Sequence, residues 1–391
     1  MAKKENLPEV DIIVDEEAGV IREVKPEKRL RSKKGHERRV NASIYVILVI
    51  MSIIWLCPFV FLVFQSFRSW NPEVEVGGIA GGMAPYVLPK VWSLDNYTFL
   101  FQGVGFNLGL LVKNAGAVVI TILTNLIGAF GIVAFLRRKP KNPLEKTQSN
   151  LKAAVLVFFG LMLLNFIRAV DSSKCDFVNW YINTLTIAFF CAVIQTVMQL
   201  SVSYALSRIR FKGRKFLMNV VLVLGMFPGF LTMIVLYYLL KMLGLTQAGA
   251  IPGLILISCA SSGMGYYISK GFFDTIPKSL DESARIDGAT RFQVFLKIIM
   301  PMAKPIVIYT VLMAFMGPWG DYVFASYVAF GYKGSYNVAV GLYRWMNTSD
   351  YKGYFTRFCA GGVLVAIPIT ALFIALQKYY VEGVTGGAVK G

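Results

Sequence analysis

Long apolar runs recur along this chain and constrain its fold more than any other feature. A helix rises about 1.5 Å per residue, so roughly 20 apolar residues cross a hydrocarbon core of about 30 Å. Hydrophobic residues make up 56% of the chain and charged residues only 16%, whereas a soluble domain carries about 25% charged residues. We therefore expect an all-α polytopic membrane protein with about eight transmembrane helices. The predicted spans lie near 43–66, 114–136, 153–170, 181–205, 217–240, 250–269, 304–324 and 358–376.

Basic residues in the loops predict the orientation, because cytoplasmic loops are enriched in Lys and Arg. The loops 137–146 and 207–215 are strongly basic, and the longer loop 270–303 holds five Lys or Arg residues. If these loops are inside, both termini are also cytoplasmic. The amino-terminal tail, 1–42, is basic as well, with nine basic and three acidic residues in 22–39. We expect much of this tail to be disordered.

The residue types present exclude several classes of function. The one histidine, His36, lies in the charged tail, and the five cysteines have neither metal-ligand nor disulfide-framework spacing. No P-loop sequence is present. We therefore predict no catalytic residues, no cofactor and no metal. The basic loop 207–215 has only Phe211 and Phe216 as aromatic companions and abuts a span. It indicates membrane topology and lipid headgroup contact, not nucleic acid binding.

The most specific stretch is 276–301, in the longest predicted cytoplasmic loop between spans. Ser279 followed by Glu282 has the spacing of a capping box, which predicts a helix starting near Leu280. Gly288 permits a sharp turn, and a second helix over 291–300 leads to the next span. The loop is predicted to present a short helix-turn-helix element on the cytoplasmic face.

This stretch resembles the EAA loop of ABC importer permeases, whose pattern is E-A-A-x-x-D-G-A-x8-I-x-L-P. Ser283 replaces an alanine of the pattern and Met300 a leucine. In that family the loop forms a coupling helix that docks in a cleft of the ATPase subunit. The resemblance therefore assigns ATPase coupling to Glu282, Ser283, Ala284, Asp287, Gly288, Ala289 and Pro301.

Further segments resemble the smaller permease of maltose-type, carbohydrate-importing transporters. They are NYTFLF (96–101), NTL (183–185), SYALSRIRFKGRK (203–215), MFPG (226–229), the W-x-D-Y sequence at Trp319 and VEGVTGGAVKG (381–391). In that subfamily the carboxyl-terminal tail inserts between the two ATPase subunits. This implies an ATPase-contact tail that includes Glu382, Gly383, Gly387 and Lys390. The tail's glycines would allow an extended path into a narrow cleft.

The resemblance also divides the chain into regions. Family members commonly have six spans, so the stretch 102–175 is predicted to be an inserted pair of transmembrane helices. The other regions are the tail 1–42, the first span with its extracytoplasmic loop (43–101), the permease core 176–377 with the coupling loop 271–303, and the cytoplasmic tail 378–391.

Polar residues within the spans are candidates for the translocation path. Gln195, Gln199 and Ser203 follow one another at intervals of four, which places them on one helix face. They would face either the path or a neighbouring helix through hydrogen bonds. Trp319 and Asp321, at the end of the seventh predicted span, would contact sugar or belong to an interfacial aromatic belt. Gly320 stands where the family pattern has Asn.

The resemblance implies a multi-pass permease in the cytoplasmic membrane of a bacterium or archaeon. It would import maltose-like oligosaccharides or other carbohydrates. Its partners would be a second homologous permease, two ABC ATPase subunits, an extracytoplasmic solute-binding protein and membrane lipid. An importer for another solute, such as glycerol phosphate, is the alternative. A membrane-embedded enzyme would need clustered ionisable residues in the spans, which this chain lacks, and a self-contained channel would leave the coupling loop unexplained.

Overall fold

The computed structural model of the chain describes residues 12–15, 20–23, 26–69, 88–113, 115–136, 165, 167–172, 175–260, 263–347 and 355–388. The chain divides into two compact units, 1–62 and 63–391. The described helices are α1 Pro26–Ser66, α2 Asp95–Leu100, α3 Ala115–Leu136, α4 Phe177–Arg208, α5 Arg214–Gly225, α6 Gly229–Met242, α7 Ala250–Ala260, α8 Gly263–Thr275, α9 Ser279–Ile286, α10 Arg291–Met302, α11 Lys304–Gly320, α12 Val323–Ala329, α13 Val338–Asn347 and α14 Phe355–Ala388. The strands are β1 Ile12–Asp15, β2 Val20–Glu23, β3 Val104–Phe106 and β4 Val170–Ser172.

The amino-terminal tail contains regular structure, so the expectation of disorder is wrong for its described part. Strands β1 and β2 pair antiparallel, with Ile12 opposite Glu23. Helix α1 begins at Pro26, a first-turn position where proline's missing N–H does no harm. The residues that follow are mostly Lys, Arg, Glu and Leu, which are good helix formers. These charged residues continue the helix of the apolar run that follows them. Adding turns to an existing helix avoids the cost of helix nucleation.

The predicted spans correspond to helices, although their number stays a prediction. Three segments are long and apolar enough to cross a membrane, namely Val40–Ser66, Phe177–Arg208 and Phe355–Gln377. Counting each bent helix pair as one span raises the number to six, and α3 adds the shorter apolar helix Gly116–Phe130. Most of the predicted run 153–170 lies outside the described residues. The described part is mainly helical, and its strands form two antiparallel pairs.

The predicted single span 217–240 is broken. Helices α5 and α6 meet at an angle of 103°. Pro228 precedes the first residue of α6 with φ −56° and lacks the N–H that would continue the hydrogen bonding of α5. The span predicted over 304–324 is shorter than expected, because α11 ends at Gly320 and Asp321 is extended, with ψ 91°.

The largest apolar core of the second unit surrounds the first half of α4. Trp180 packs edge-on against Trp345 of α13, with ring centroids 5.1 Å apart. Tyr181 meets Trp319 of α11 in the same way at 5.2 Å. Buried residues of α7, α12 and α14 complete the cluster. In the first unit, every side chain of α1 over 40–60 is exposed, and most of these side chains are apolar. Such a surface suits lipid, where exposed apolar side chains carry no penalty.

Strands β3 and β4 close the predicted insertion 102–175 at its base. They pair antiparallel, with Val104 opposite Ser172 and Phe106 opposite Val170. The ladder continues through the N–H of Asn107, which donates to the carbonyl oxygen of Ala169 at 2.7 Å. The two ends of the segment therefore lie side by side, while Ile120 within it is buried in the apolar core of the second unit. That the segment is an insertion stays a prediction.

This geometry predicts that the insertion can be removed. Asn107 and Ala169 flank a position that a two-residue type I′ turn can close, and Asn-Gly favours that turn. We expect a chain with 108–168 replaced by Asn-Gly to accumulate in the membrane and to elute as a single species on gel filtration in detergent. Its orientation should be unchanged, because an even number of apolar runs is removed.

The matched control replaces only 137–168 by Asn-Gly. It keeps the first apolar run of the segment and removes the second, which would lead the chain back across the membrane. This control is expected to lose membrane accumulation. If the shorter and the full replacement both lose membrane accumulation, or if the full replacement aggregates, the segment is an integral part of the core.

Candidate functional site

The loop 276–301 forms two short helices joined by a tight turn, as predicted. Helix α9 starts at Ser279, but its first turn has no side-chain cap. The predicted capping box of Ser279 and Glu282 is therefore wrong. Lys278 already has helical dihedrals, with φ −68° and ψ −23°, so Ser279 lies inside the helix and not at its N-cap.

The capping box belongs to the second helix instead. The hydroxyl of Thr290 accepts from the N–H of Gln293 at 3.3 Å. The side-chain oxygen of Gln293 accepts from the N–H of Thr290 at 2.9 Å. Thr290 has the extended backbone that an N-cap requires, with φ −70° and ψ 157°. These two residues fix the direction in which α10 leaves the turn.

The D-G-A part of the family pattern ends α9 as a Schellman motif. Gly288 has φ +81°, the left-handed conformation that L side chains resist. The N–H of Ala289 donates to the carbonyl oxygen of Ala284 at 2.9 Å, and the N–H of Gly288 to that of Arg285 at 3.1 Å. Ala284 and Ala289 also belong to one apolar cluster. The family pattern therefore has a structural cause. Its glycine turns the chain, and its alanines pack the loop against the apolar cluster.

The inner face of the loop packs on the ends of the spans. Ala284 and Val294 are buried against residues of α4, α8, α10 and α11. Arg208, the last residue of α4, reinforces this seat. Its Nη2 donates to the carbonyl oxygens of Phe273 at 2.8 Å and Ile276 at 2.7 Å. Its Nε lies 3.4 Å from Oδ2 of Asp281. One buried guanidinium thus ties α4 to the end of α8 and to α9.

Partial burial of the Arg208–Asp281 ion pair changes the pKa of its carboxyl group. Burial raises the pKa of the Asp281 carboxyl, the charge of Arg208 opposes the rise and Glu282 adds to it. Sequence reasoning missed Arg208 and Asp281 as a pair. The only signal was a basic residue at a predicted span end, which the topology already explained.

The outer face of the loop is exposed. Glu282, Ser283 and Asp287 are exposed, as is Pro301 near the end of α10. Two large apolar side chains stand out, since Ile286 is 86% exposed and Phe292 68% exposed. Sequence reasoning missed both, although an isolated Ile and Phe in a charged loop were visible. Exposed apolar groups beside carboxylates suit a protein partner.

The structure separates the candidate path residues. Gln195 and Asp321 line one cavity of about 250 Å³, together with Ser258, Asn337 and apolar residues of α4, α7 and α11. Asp321 Oδ1 accepts from the N–H of Phe324 at 3.2 Å. The side-chain amide of Asn337 donates to the carbonyl oxygen of Asp321 at 2.6 Å.

Gln199 has a structural position. Its Nε2 donates to the carbonyl oxygen of Gly265 at 3.0 Å and lies 2.9 Å from the hydroxyl of Ser269, both on α8. A Cβ at Gly265 would fall 2.8 Å from this amide, so glycine is needed for the close approach. Ser203 likewise donates to the carbonyl oxygen of Tyr266 at 3.1 Å.

Trp319 is also internal. Its side chain is 4% exposed and packs between Tyr181 and Phe315. It therefore belongs to the core and not to an interfacial belt in this chain.

The carboxyl-terminal tail differs from the expected extended path. Helix α14 continues to Ala388, so the backbone at Glu382, Gly383 and Gly387 is helical. Lys390 lies outside the described residues. Among the described residues, no group of three His, Cys, Asp or Glu side chains is placed to hold a metal ion.

Comparisons with known proteins agree with the resemblance seen in the loop. Residues 198–386 match the family described as binding-protein-dependent transport system inner membrane component. The galactooligosaccharides transport system permease of Bacillus subtilis is 38% identical over 216 residues, covering 55% of this chain and 75% of that protein. The maltodextrin transport system permease of the same organism is 35% identical over 243 residues, covering 62% and 86%.

A solved structure shares the fold. A chain of a bacterial ABC transporter involved in the import of the acidic polysaccharide alginate superposes with a TM-score of 0.57 and 18% identity, covering 88% of this chain and 98% of that one. The relatives above exceed 30% identity over most of their own length. This chain belongs to the family of binding-protein-dependent transport system inner membrane components.

Proposed function

We propose that this chain is a permease subunit of an ABC importer for oligosaccharides of the maltodextrin or galactooligosaccharide type. The coupling loop carries this proposal: a rigid, seated helix pair that presents Ile286 and Phe292 outward beside Glu282. The relatives named above, a maltodextrin permease and a galactooligosaccharides permease, supply the substrate class.

The loop would transmit motion because its seat is stiff. Docking of an ATPase subunit on α9 would push on a helix tied by Arg208 to the long α4. A displaced α9 would therefore tilt α4 and the helices packed on it. This is the rocking that alternates access around a central site. Hydrolysis of ATP would belong to the partner subunits.

The cavity at Gln195 favours a carbohydrate over glycerol phosphate. Its lining includes Gln195, Ser258, Asn337 and Asp321. The Asn337 amide is already hydrogen-bonded to backbone groups of Pro318, Asp321 and Val340. Gln195, Ser258 and Asp321 are therefore the candidate sugar contacts. Asp321 is the only charged residue among those lining residues. Amides, hydroxyls and a carboxylate accept and donate to sugar hydroxyls, whereas an anionic phosphate would meet a negative charge with no cation beside it.

The location, the topology and the partner subunits follow from the same proposed function. We propose a bacterial or archaeal cytoplasmic membrane location, eight spans with both ends inside, a second permease, two ATPase subunits and an extracytoplasmic binding protein. The tail at Glu382, Gly383, Gly387 and Lys390 would contact the ATPase pair, as a helix or after unwinding at its glycines.

Substitution of the exposed apolar pair tests the coupling assignment. Ile286→Ser combined with Phe292→Ser should leave membrane abundance unchanged, because both side chains are exposed. Truncated interface anchors typically cost 2 kcal/mol or more, so ATPase binding should weaken at least roughly tenfold. The readouts are co-purification of the ATPase and cellular uptake of labelled maltodextrin and galactooligosaccharide.

Met242→Ser is the matched control, since Met242 is also 86% exposed but lies on the predicted opposite side of the membrane. The proposal fails if the double variant retains both ATPase and uptake at the control's level. Uptake of labelled glycerol 3-phosphate, with neither sugar transported, would favour the alternative substrate.

The two glutamines should give different defects. Gln195→Leu should reduce sugar uptake per molecule at normal abundance, because the amide lines the cavity. Gln199→Leu should instead lower abundance and the thermal midpoint, with a loss of about 1–2 kcal/mol from two interhelical hydrogen bonds. Uptake normalised to abundance and fluorescence-monitored unfolding distinguish them. Identical behaviour of the two variants would contradict the separation of roles.

A further inference from the structure

A cationic cleft lies beside the seat of the coupling loop, between the end of α4, the basic loop 207–215 and helices α9 and α10. Its volume is about 360 Å³. Six basic side chains line it: Arg208, Arg210, Arg214, Lys278, Arg285 and Arg291. Two acidic side chains, Asp281 and Glu282, line the same cleft.

The described residues leave this cleft with a net positive charge. Six cations and two carboxylates line it, and Asp281 is already engaged by Arg208. A third carboxylate, Asp274, accepts from the hydroxyl of the lining residue Ser207 at 2.6 Å and interacts with the charge of Arg214. The Arg208 side chain is only 4% exposed. Its Nη1 is shielded from solvent and makes no hydrogen bond within the part of the chain that the structure describes. A buried, charged donor without an acceptor is costly, and Oδ1 of the adjacent Asp281 is likewise buried without a hydrogen bond. The excess of cations around this imperfectly paired contact favours an anion.

The side chains also indicate which kind of anion. Five of the six cations are arginines, whose planar guanidinium forks match the oxygens of phosphate. Tyr204 and Ser207 line the same cleft. The cleft adjoins the end of a predicted span, where lipid phosphate groups would lie. A carboxylate has only two oxygens to offer to so many donors.

We propose that this cleft binds one phosphoryl group, which bridges the basic loop to the coupling loop. The group would come from an anionic phospholipid headgroup or from a free phosphate ester. Either source brings a negative charge to Arg210 and Arg214 on one wall and to Arg285 and Arg291 on the other. This binding site does not depend on the proposed transport function.

The test uses the full chain with two double variants of equal charge change. Arg210→Gln with Arg214→Gln alters the cleft. Lys212→Gln with Lys215→Gln alters the same loop at residues that do not line it. Inorganic phosphate is titrated, at constant ionic strength, into each chain in phosphatidylcholine nanodiscs. In parallel, native mass spectrometry counts phosphatidylglycerol molecules retained by each chain.

The cleft variant should bind phosphate roughly tenfold more weakly, or lose its most tightly retained phosphatidylglycerol, while the lysine variant resembles wild type. An effect confined to the lipid arm identifies a headgroup, and one confined to the phosphate arm identifies a free ester. Arg291→Gln, on the opposite wall, should show the same direction of change and serves if the double variant is unstable.

Three results would overturn the proposal. The first is a wild type that binds neither phosphate nor phosphatidylglycerol in preference to phosphatidylcholine. The second is an equal loss of binding in the two double variants, which would indicate surface potential alone. The third is a cleft variant that loses only the ATPase in co-purification, which would place an acidic side chain of that partner in the cleft.

Discussion

The buried guanidinium of Arg208 is the contact on which the proposed mechanism depends. Arg208 is the last residue of the 32-residue helix α4. It donates to two carbonyl oxygens at the end of α8 and faces Asp281 of α9. Arginine suits this position because one rigid fork serves several acceptors at once. Without it, the coupling loop would rest mainly on small apolar contacts of Ala284 and Val294. A loop that transmits force needs this additional, directional attachment.

Polar groups inside the helix bundle also need hydrogen-bond partners. Lipid offers no hydrogen bonds, so polar side chains in the spans must find partners on neighbouring helices or line a cavity. Gln199 and Ser203 take the first course, bonding to α8. Gln195 and Asp321 take the second and line a cavity. The division assigns stability to one set of residues and proposes substrate contact for the other.

The sequence predicted most of the helical organisation and the coupling loop, because both depend on local patterns. Run length predicts α1, α4 and α14, and the D-G-A residues predict the turn at Gly288. Contacts between distant segments escaped it: Arg208 and Asp281 lie 73 positions apart and meet only in the fold.

Gln195 and Ser203 share a predicted face, yet each step of four residues turns the helix by about 40° beyond a full circle. That drift is enough to direct them to different neighbours. The capping box was misplaced because Thr290 and Gln293 satisfy the same spacing as Ser279 and Glu282, and only backbone geometry distinguishes the two.

Hydrogen–deuterium exchange of the α9 amides in the Arg208→Gln chain tests the central contact most directly. If Arg208 holds the loop to the core, the amides of α9 should exchange faster than in wild type, while those in the first half of α4 stay protected. Lys212→Gln, which removes a nearby charge outside this contact, should leave both regions as in wild type. Unchanged exchange of α9 in the Arg208→Gln chain would show that other contacts hold the loop and would contradict this account.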